Sequence, residues 1–201
     1  MSDANVRVRR RPHLAPILVP LLLLLAAAAG IFWLGTWART TVVVVVRHAE
    51  AGTLPAGDPD LSPAGEARAA QLGEFLEGLL VGQKVDYLYS GDTRRATQTA
   101  APIANRFRLP VNLLAPSDWE GLASRIRSEH RGRTVVVVGY DSTLPNLVSQ
   151  LTGSQSTAGP ASAGSIQLVV IPSPGTVRVF RLSYGAPDGL ARGAKTQKPP
   201  H

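Results

Sequence analysis

Cysteine is absent from this 201-residue chain. That excludes a disulfide framework, a thiolate nucleophile or metal ligand, and a lipid-modified N-terminal cysteine. Charged residues are sparse at 17% and aromatic ones at 5%, and nowhere do basic and aromatic residues cluster. The formal charge of +7 therefore does not point to nucleic acid, and no nucleic-acid partner is expected. Internal repeats are lacking too, which excludes a solenoid or propeller. The length accommodates one domain plus an extra segment.

The extra segment is at the start. Leu14 to Trp37 contains no charged residue, and Leu21 to Ala29 has no polar break. At about 1.5 Å per residue such a run spans a bilayer core of ~30 Å. Trp33 and Trp37 stand near its end, where interfacial aromatic anchors are common. The sequence predicts a transmembrane helix over residues 14–37, after a basic cytoplasmic N-terminus, 1–13. A cleaved signal peptide is the rival, with Ala27-Ala28-Ala29 as its cleavage site. Against it, the apolar run continues through Ile31 to Trp37. Residues 1–41 hold five Arg and one Asp, and residues 42–201 hold 16 Lys+Arg and 13 Asp+Glu. Part of the basic bias thus reports topology.

The rest alternates strand and helix patterns. Thr41-Val-Val-Val-Val-Val46 reads as a strand buried on both faces, and it ends abruptly in Arg47-His48. Ligands of open α/β sheets gather at the carboxyl ends of strands, so a guanidinium and an imidazole stand where a substrate would sit. Asp86 to Ser90 and Thr134 to Val138 are further strands with polar exits; Leu109 to Leu114 is a short one. Ser62 and Pro63 start a helix as N-cap and first residue. Ser117 and Glu120 fit a capping box, which sets Glu120 aside as structural. Asp92 has the same explanation, as an N-cap. Gly153 to Gly164 reads as a loop, and Ile166–Ile171 with Val177–Leu182 as a terminal hairpin. Residues 186–201 are expected to be disordered. Strands alternating with helices predict a three-layer α/β/α sandwich with a mostly parallel sheet over 42–185.

Four segments in this order carry a resemblance: Arg47-His48-Ala49-Glu50, Asp60-Leu61-Ser62-Pro63-Ala64-Gly65-Glu66, Ser90 to Thr99 with Arg95, and Gly139-Tyr140-Asp141. Together they resemble the histidine phosphatase superfamily, the phosphoglycerate mutase-like proteins, over roughly Val42 to Pro187. The resemblance implies phosphoryl transfer through a phosphohistidine. His48 would be the nucleophile, and Arg47 and Arg95 would hold the phosphoryl oxygens. Glu50, Asp92 and Asp141 are candidates for the acid or for support. No metal and no cofactor is expected, and the partner would be a phosphorylated small molecule or protein.

One position departs from the family. A second histidine belongs where this chain has Tyr140. A tyrosine donates one neutral O–H bond. Exchanging a charge-assisted bond for a neutral one costs about 1–2 kcal/mol, and misplacing the donor costs more. Two expectations follow: an exported, membrane-anchored phosphatase of impaired activity, or a pseudophosphatase that binds a phosphorylated or anionic partner at the membrane.

The arginines before the apolar run generate a topological prediction. The positive-inside rule places residues 42–201 outside the cytoplasm of a bacterial cell membrane, with the N-terminus inside. An alkaline phosphatase fused after Thr41 should be active, and a fluorescent protein fused there dark. The reverse pattern would return the domain to the cytoplasm.

Overall fold

The computed structural model describes residues 15–37, 39–154 and 164–185. The basic segment 1–13, the tail 186–201 and most of the Gly153–Gly164 loop lie outside the described residues. Residues 1–38 and 39–201 form separate units. The first contains helix α1, Ala15–Trp37, with Pro20 inside it. Its described side chains run continuously from 18 to 33 and are exposed. Among the described residues no helix is long and apolar enough to cross a membrane.

The second unit holds β1 (Thr41–Arg47), α2 (Pro63–Leu79), β2 (Tyr87–Gly91), α3 (Arg94–Phe107), β3 (Val111–Leu114), α4 (Trp119–Glu129), β4 (Thr134–Gly139), α5 (Leu144–Thr152), β5 (Ser165–Ile171) and β6 (Arg178–Ser183). The strands form one sheet in the order β3-β2-β4-β1-β5-β6. The first four are parallel, whereas β5 and β6 run antiparallel, so the sheet is mixed. The antiparallel pair is the hairpin that the sequence predicts.

Val43 to Val46 are each 0% exposed, because helices cover both faces of β1. Successive strand side chains point to opposite faces. Val43 and Val45 pack with Leu122 and Ile126 of α4 and Leu147 and Leu151 of α5. Val44 and Val46 pack with Leu72 and Leu76 of α2 and Ala100 and Ile103 of α3. Three layers result, and the valines hold the middle of both cores.

The start of α2 is fixed from both sides. The Ser62 hydroxyl accepts from Gly65 N–H at 3.1 Å, and Ser62 N–H donates to the Glu50 carbonyl at 2.9 Å. A Cβ on Gly65 would lie 2.1 Å from that carbonyl oxygen. The Leu61-to-Glu66 segment therefore clamps the chain two residues beyond His48.

Gly65→Ala must push this backbone apart. Overpacking typically costs about 1–3 kcal/mol. The variant should show that loss in chemical denaturation, whereas Gly78→Ala, which meets open space, should not. Equal stability of the two would show that the clamp carries no constraint.

Candidate active site

Parallel register places the two strand exits side by side. Arg47 pairs with Gly139, and His48 N–H donates to the Gly139 carbonyl at 3.1 Å. The next residue of each chain segment is then at the same sheet edge, so His48 and Tyr140 are neighbours with ring centroids 6.1 Å apart. His48 Nδ1 lies 2.8 Å from the Ala49 carbonyl oxygen. A carbonyl can only accept, so Nδ1 carries the proton and the Nε2 lone pair is free. Burial lowers the His48 pKa below its ordinary value. The Ala49 bond opposes this, while the Arg95 and Arg47 charges add to it. The imidazole is therefore neutral at pH 7, the form that acts as a nucleophile.

Helix α3 is tied to the His48 loop through a buried threonine. Ala49 N–H donates to Thr99 Oγ1 at 3.0 Å, and Thr99 Oγ1 donates to the Arg95 carbonyl at 2.7 Å. This fixes the turn that bears Arg95 relative to His48. The Arg95 guanidinium stands 5.7 Å from the Tyr140 ring centroid, within cation–π range. Arg95 Nε is buried and has no hydrogen-bond partner among the described residues. Arg94 points elsewhere: its Nε and Nη2 meet the Asp60 carboxylate at 2.7 and 2.9 Å. Sequence reading missed Asp58 and Gln98 and gave Asp60 no role of its own. Gln98 accepts from Leu61 N–H at 2.7 Å and donates to Asp60 at 2.6 Å. No spacing rule marks such long-range polar clamps.

Tyr140 does not simply replace an imidazole donor. Its hydroxyl donates to Asp92 Oδ1 at 3.3 Å and accepts from Thr93 N–H at 3.1 Å. The phenol thus reaches past the site to the start of α3. Gly91 allows it, since a Cβ there would lie 2.1 Å from the tyrosine oxygen. The expected N-cap role of Asp92 is corrected: Thr93 is the N-cap, it makes no side-chain cap bond, and Asp92 serves Tyr140 instead. Arg94 N–H is taken by the Asp58 carboxylate at 3.0 and 3.1 Å. Two backbone donors of this helix start, a natural anion site, are therefore already engaged.

The other candidates divide. Arg47 Nε is 3.0 Å from Asp141 Oδ1. Glu50 instead pairs with Arg68 at 2.6 Å, which suits it to support rather than to proton donation. Beside that pair lies the buried Tyr184 phenol, whose pKa burial raises. The Ser117–Glu120 capping box does not form. Asp118 accepts from Ala115 N–H at 3.3 Å and from the Ser117 hydroxyl at 3.2 Å, making a 3₁₀ turn over Pro116–Asp118 before α4. Glu120 is exposed in the first turn of α4 and keeps no capping role. His130 is far from the site, stacked on Tyr87 at 3.8 Å and bonded to the Tyr89 hydroxyl at 2.8 Å. Among the described residues no cluster of three His, Asp or Glu could hold a metal ion.

Residues 43–116 match the histidine phosphatase superfamily (branch 1). That segment contains Arg47, His48, Glu50, Asp92 and Arg95, and stops before Tyr140. No curated protein matches the chain significantly. Among solved structures, the protein histidine phosphatase SixA complexed with tungstate is 19% identical, with a TM-score of 0.60 over 71% of this chain and 96% of that one. A phosphoglycerate mutase from Plasmodium falciparum is 18% identical, with a TM-score of 0.56 over 75% and 96%. One from Bacillus anthracis is 17% identical, with a TM-score of 0.52 over 74% and 95%. The family match and these likenesses agree that the chain carries the histidine phosphatase superfamily fold.

His48 and His130 both have pKa values lowered first by burial. Below about pH 6.5, the ordinary imidazole value, the unfolded chain binds protons that the folded one refuses. Stability should therefore be full above that pH and fall as the pH drops below it. The loss between pH 7 and 5.5, read by chemical denaturation, should shrink in His48→Asn. An unchanged loss would remove His48 as a contributor.

Proposed function

We propose that this chain is a histidine-type phosphatase of impaired activity, acting on a phosphomonoester or phosphoprotein. The observation that carries the reading is the tautomer of His48: Nδ1–H is spent on the Ala49 carbonyl, and a neutral Nε2 stands among arginines. Nε2 attacks phosphorus, the bond to the leaving oxygen breaks, and that oxygen takes a proton. Water then attacks the phosphohistidine and releases phosphate. Arg95 and Arg47 hold the phosphoryl oxygens, a geometry that guanidinium groups match. Asp92 and Asp141 are the carboxyls beside the site. A phosphoramidate, with its better leaving group, needs their proton less.

A specific observation favours the second reading, a pseudophosphatase that binds an anionic or phosphorylated partner. The Tyr140 hydroxyl is engaged by Asp92 and Thr93, so it offers no free proton to a phosphoryl group. The proposal includes anchoring through residues 14–37 at a bacterial cell membrane, with the domain outside the cytoplasm. Its support is the uncharged run and the arginines before it.

Exposure to a phosphoramidate should give a phosphoenzyme about 80 Da heavier, the covalent-intermediate signature, absent in His48→Ala. Tyr140→His should speed turnover by roughly five- to thirtyfold, the worth of one charge-assisted bond in place of a neutral one. Phosphate or vanadate should raise the melting temperature, and Arg95→Ala should abolish that rise more fully than Arg94→Ala. Anion binding without phosphoenzyme or turnover, even in Tyr140→His, would leave the binding module as the function.

A further inference from the structure

The proposed phosphoryl site is already occupied by the chain's own acceptors. Asp141 sits on Arg47 Nε at 3.0 Å, Asp58 on Arg94 N–H, and the Tyr140 oxygen on Thr93 N–H. Arg95 Nε, by contrast, has no hydrogen-bond partner among the described residues, and its guanidinium lies against the Tyr140 ring. Yet Asp141 is loosely held. Its side chain is 58% exposed, and its approach to Arg47 falls short of hydrogen-bond geometry. An exposed pair of this kind is worth at most about 1 kcal/mol. A phosphoryl group can therefore take Arg47, provided something receives the displaced carboxylate. Water can do so, but a cation on the substrate does so better. Asp92, exposed and bonded to the Tyr140 hydroxyl, is a second carboxylate beside the site.

We propose that Asp141 determines substrate specificity: the site prefers a phosphomonoester whose carrier bears a positive charge close to the phosphoryl group. The phosphoryl oxygens take Arg47 and Arg95 while the carrier cation takes Asp141. A free phosphate dianion brings no such cation and competes with Asp141 at a disadvantage. This rests on the phosphoryl-binding reading of Arg47 and Arg95 above, and it adds the charge class of the carrier.

Isothermal titration of the full-length chain with three probes tests it: inorganic phosphate, choline phosphate, and 3,3-dimethylbutyl phosphate, the uncharged isostere of the choline ester. The wild type should bind the choline ester about fivefold more tightly than its isostere, the fold-change of a pair worth about 1 kcal/mol. Asp141→Asn should bind inorganic phosphate about fivefold more tightly than the wild type and lose the preference between the esters. Asp141→Glu should restore the preference, which a merely structural aspartate would not predict. Equal binding of the esters by the wild type, or no gain for phosphate in Asp141→Asn, would overturn the role of Asp141 and leave the phosphoryl site standing. Failure of all three proteins to bind any probe would overturn both.

Discussion

The parallel pairing of β1 with β4 is the constraint on which the site depends. It aligns Val42 with Thr134 and, five residues on, Arg47 with Gly139. A slip of one residue would turn every valine of β1 to the opposite helix layer and carry His48 away from Tyr140. Burial on both faces gives that slip a high cost, since the two cores are formed by alternate valines of the same strands. The polar residues begin where the helical cover ends. Stability and chemistry thus share one boundary: the last buried valine is followed directly by the two groups that the site needs exposed.

Around that boundary the structure uses glycine as space and threonine as connection. Gly65 lets α2 press on the Glu50 carbonyl, and Gly91 lets the Tyr140 ring pass over β2. Thr99, fully buried, joins the nucleophile loop to the helix bearing Arg95. These contacts are short, directional and almost free of solvent, so they hold the geometry more strictly than the exposed ion pairs do. Arg95 is placed by a hydrogen-bonded chain, whereas Arg47 is held by a pair that opens readily.

The tyrosine changes the electrostatics more than the shape. An imidazole at this strand exit would be the shorter side chain. The longer phenol ends at the start of α3, where its oxygen satisfies a backbone N–H and its proton goes to Asp92. The ring remains as a wall beside His48 and Arg95. Satisfying these donors internally works against binding an anion there, because the same donors cannot serve both. A locally well-satisfied site is what a slow enzyme or a binding module would retain.

Much was legible in the sequence where a residue's role follows from its own pattern. Five consecutive valines specify a strand buried on both faces, and Ser62-Pro63 specifies a helix start. Arg47-His48 marks where that strand leaves the core, because side-chain period and burial are local properties. The roles that depend on partners distant in sequence were not legible. Asp92 reads as a cap and instead binds Tyr140, 48 positions away. Ser117 and Glu120 fit a capping box by spacing, but the Ser117 hydroxyl donates to Asp118 within a 3₁₀ turn that precedes the helix. The pairing of Asp141 with Arg47, and of Asp58 with the start of α3, requires loops to be brought together by packing. The sequence by itself determined the strands, the layers and the place of Arg47-His48 at the exit of β1. Only the tertiary structure decided which donors remain open to a ligand, because hydrogen bonds and charges are allotted among neighbours in space.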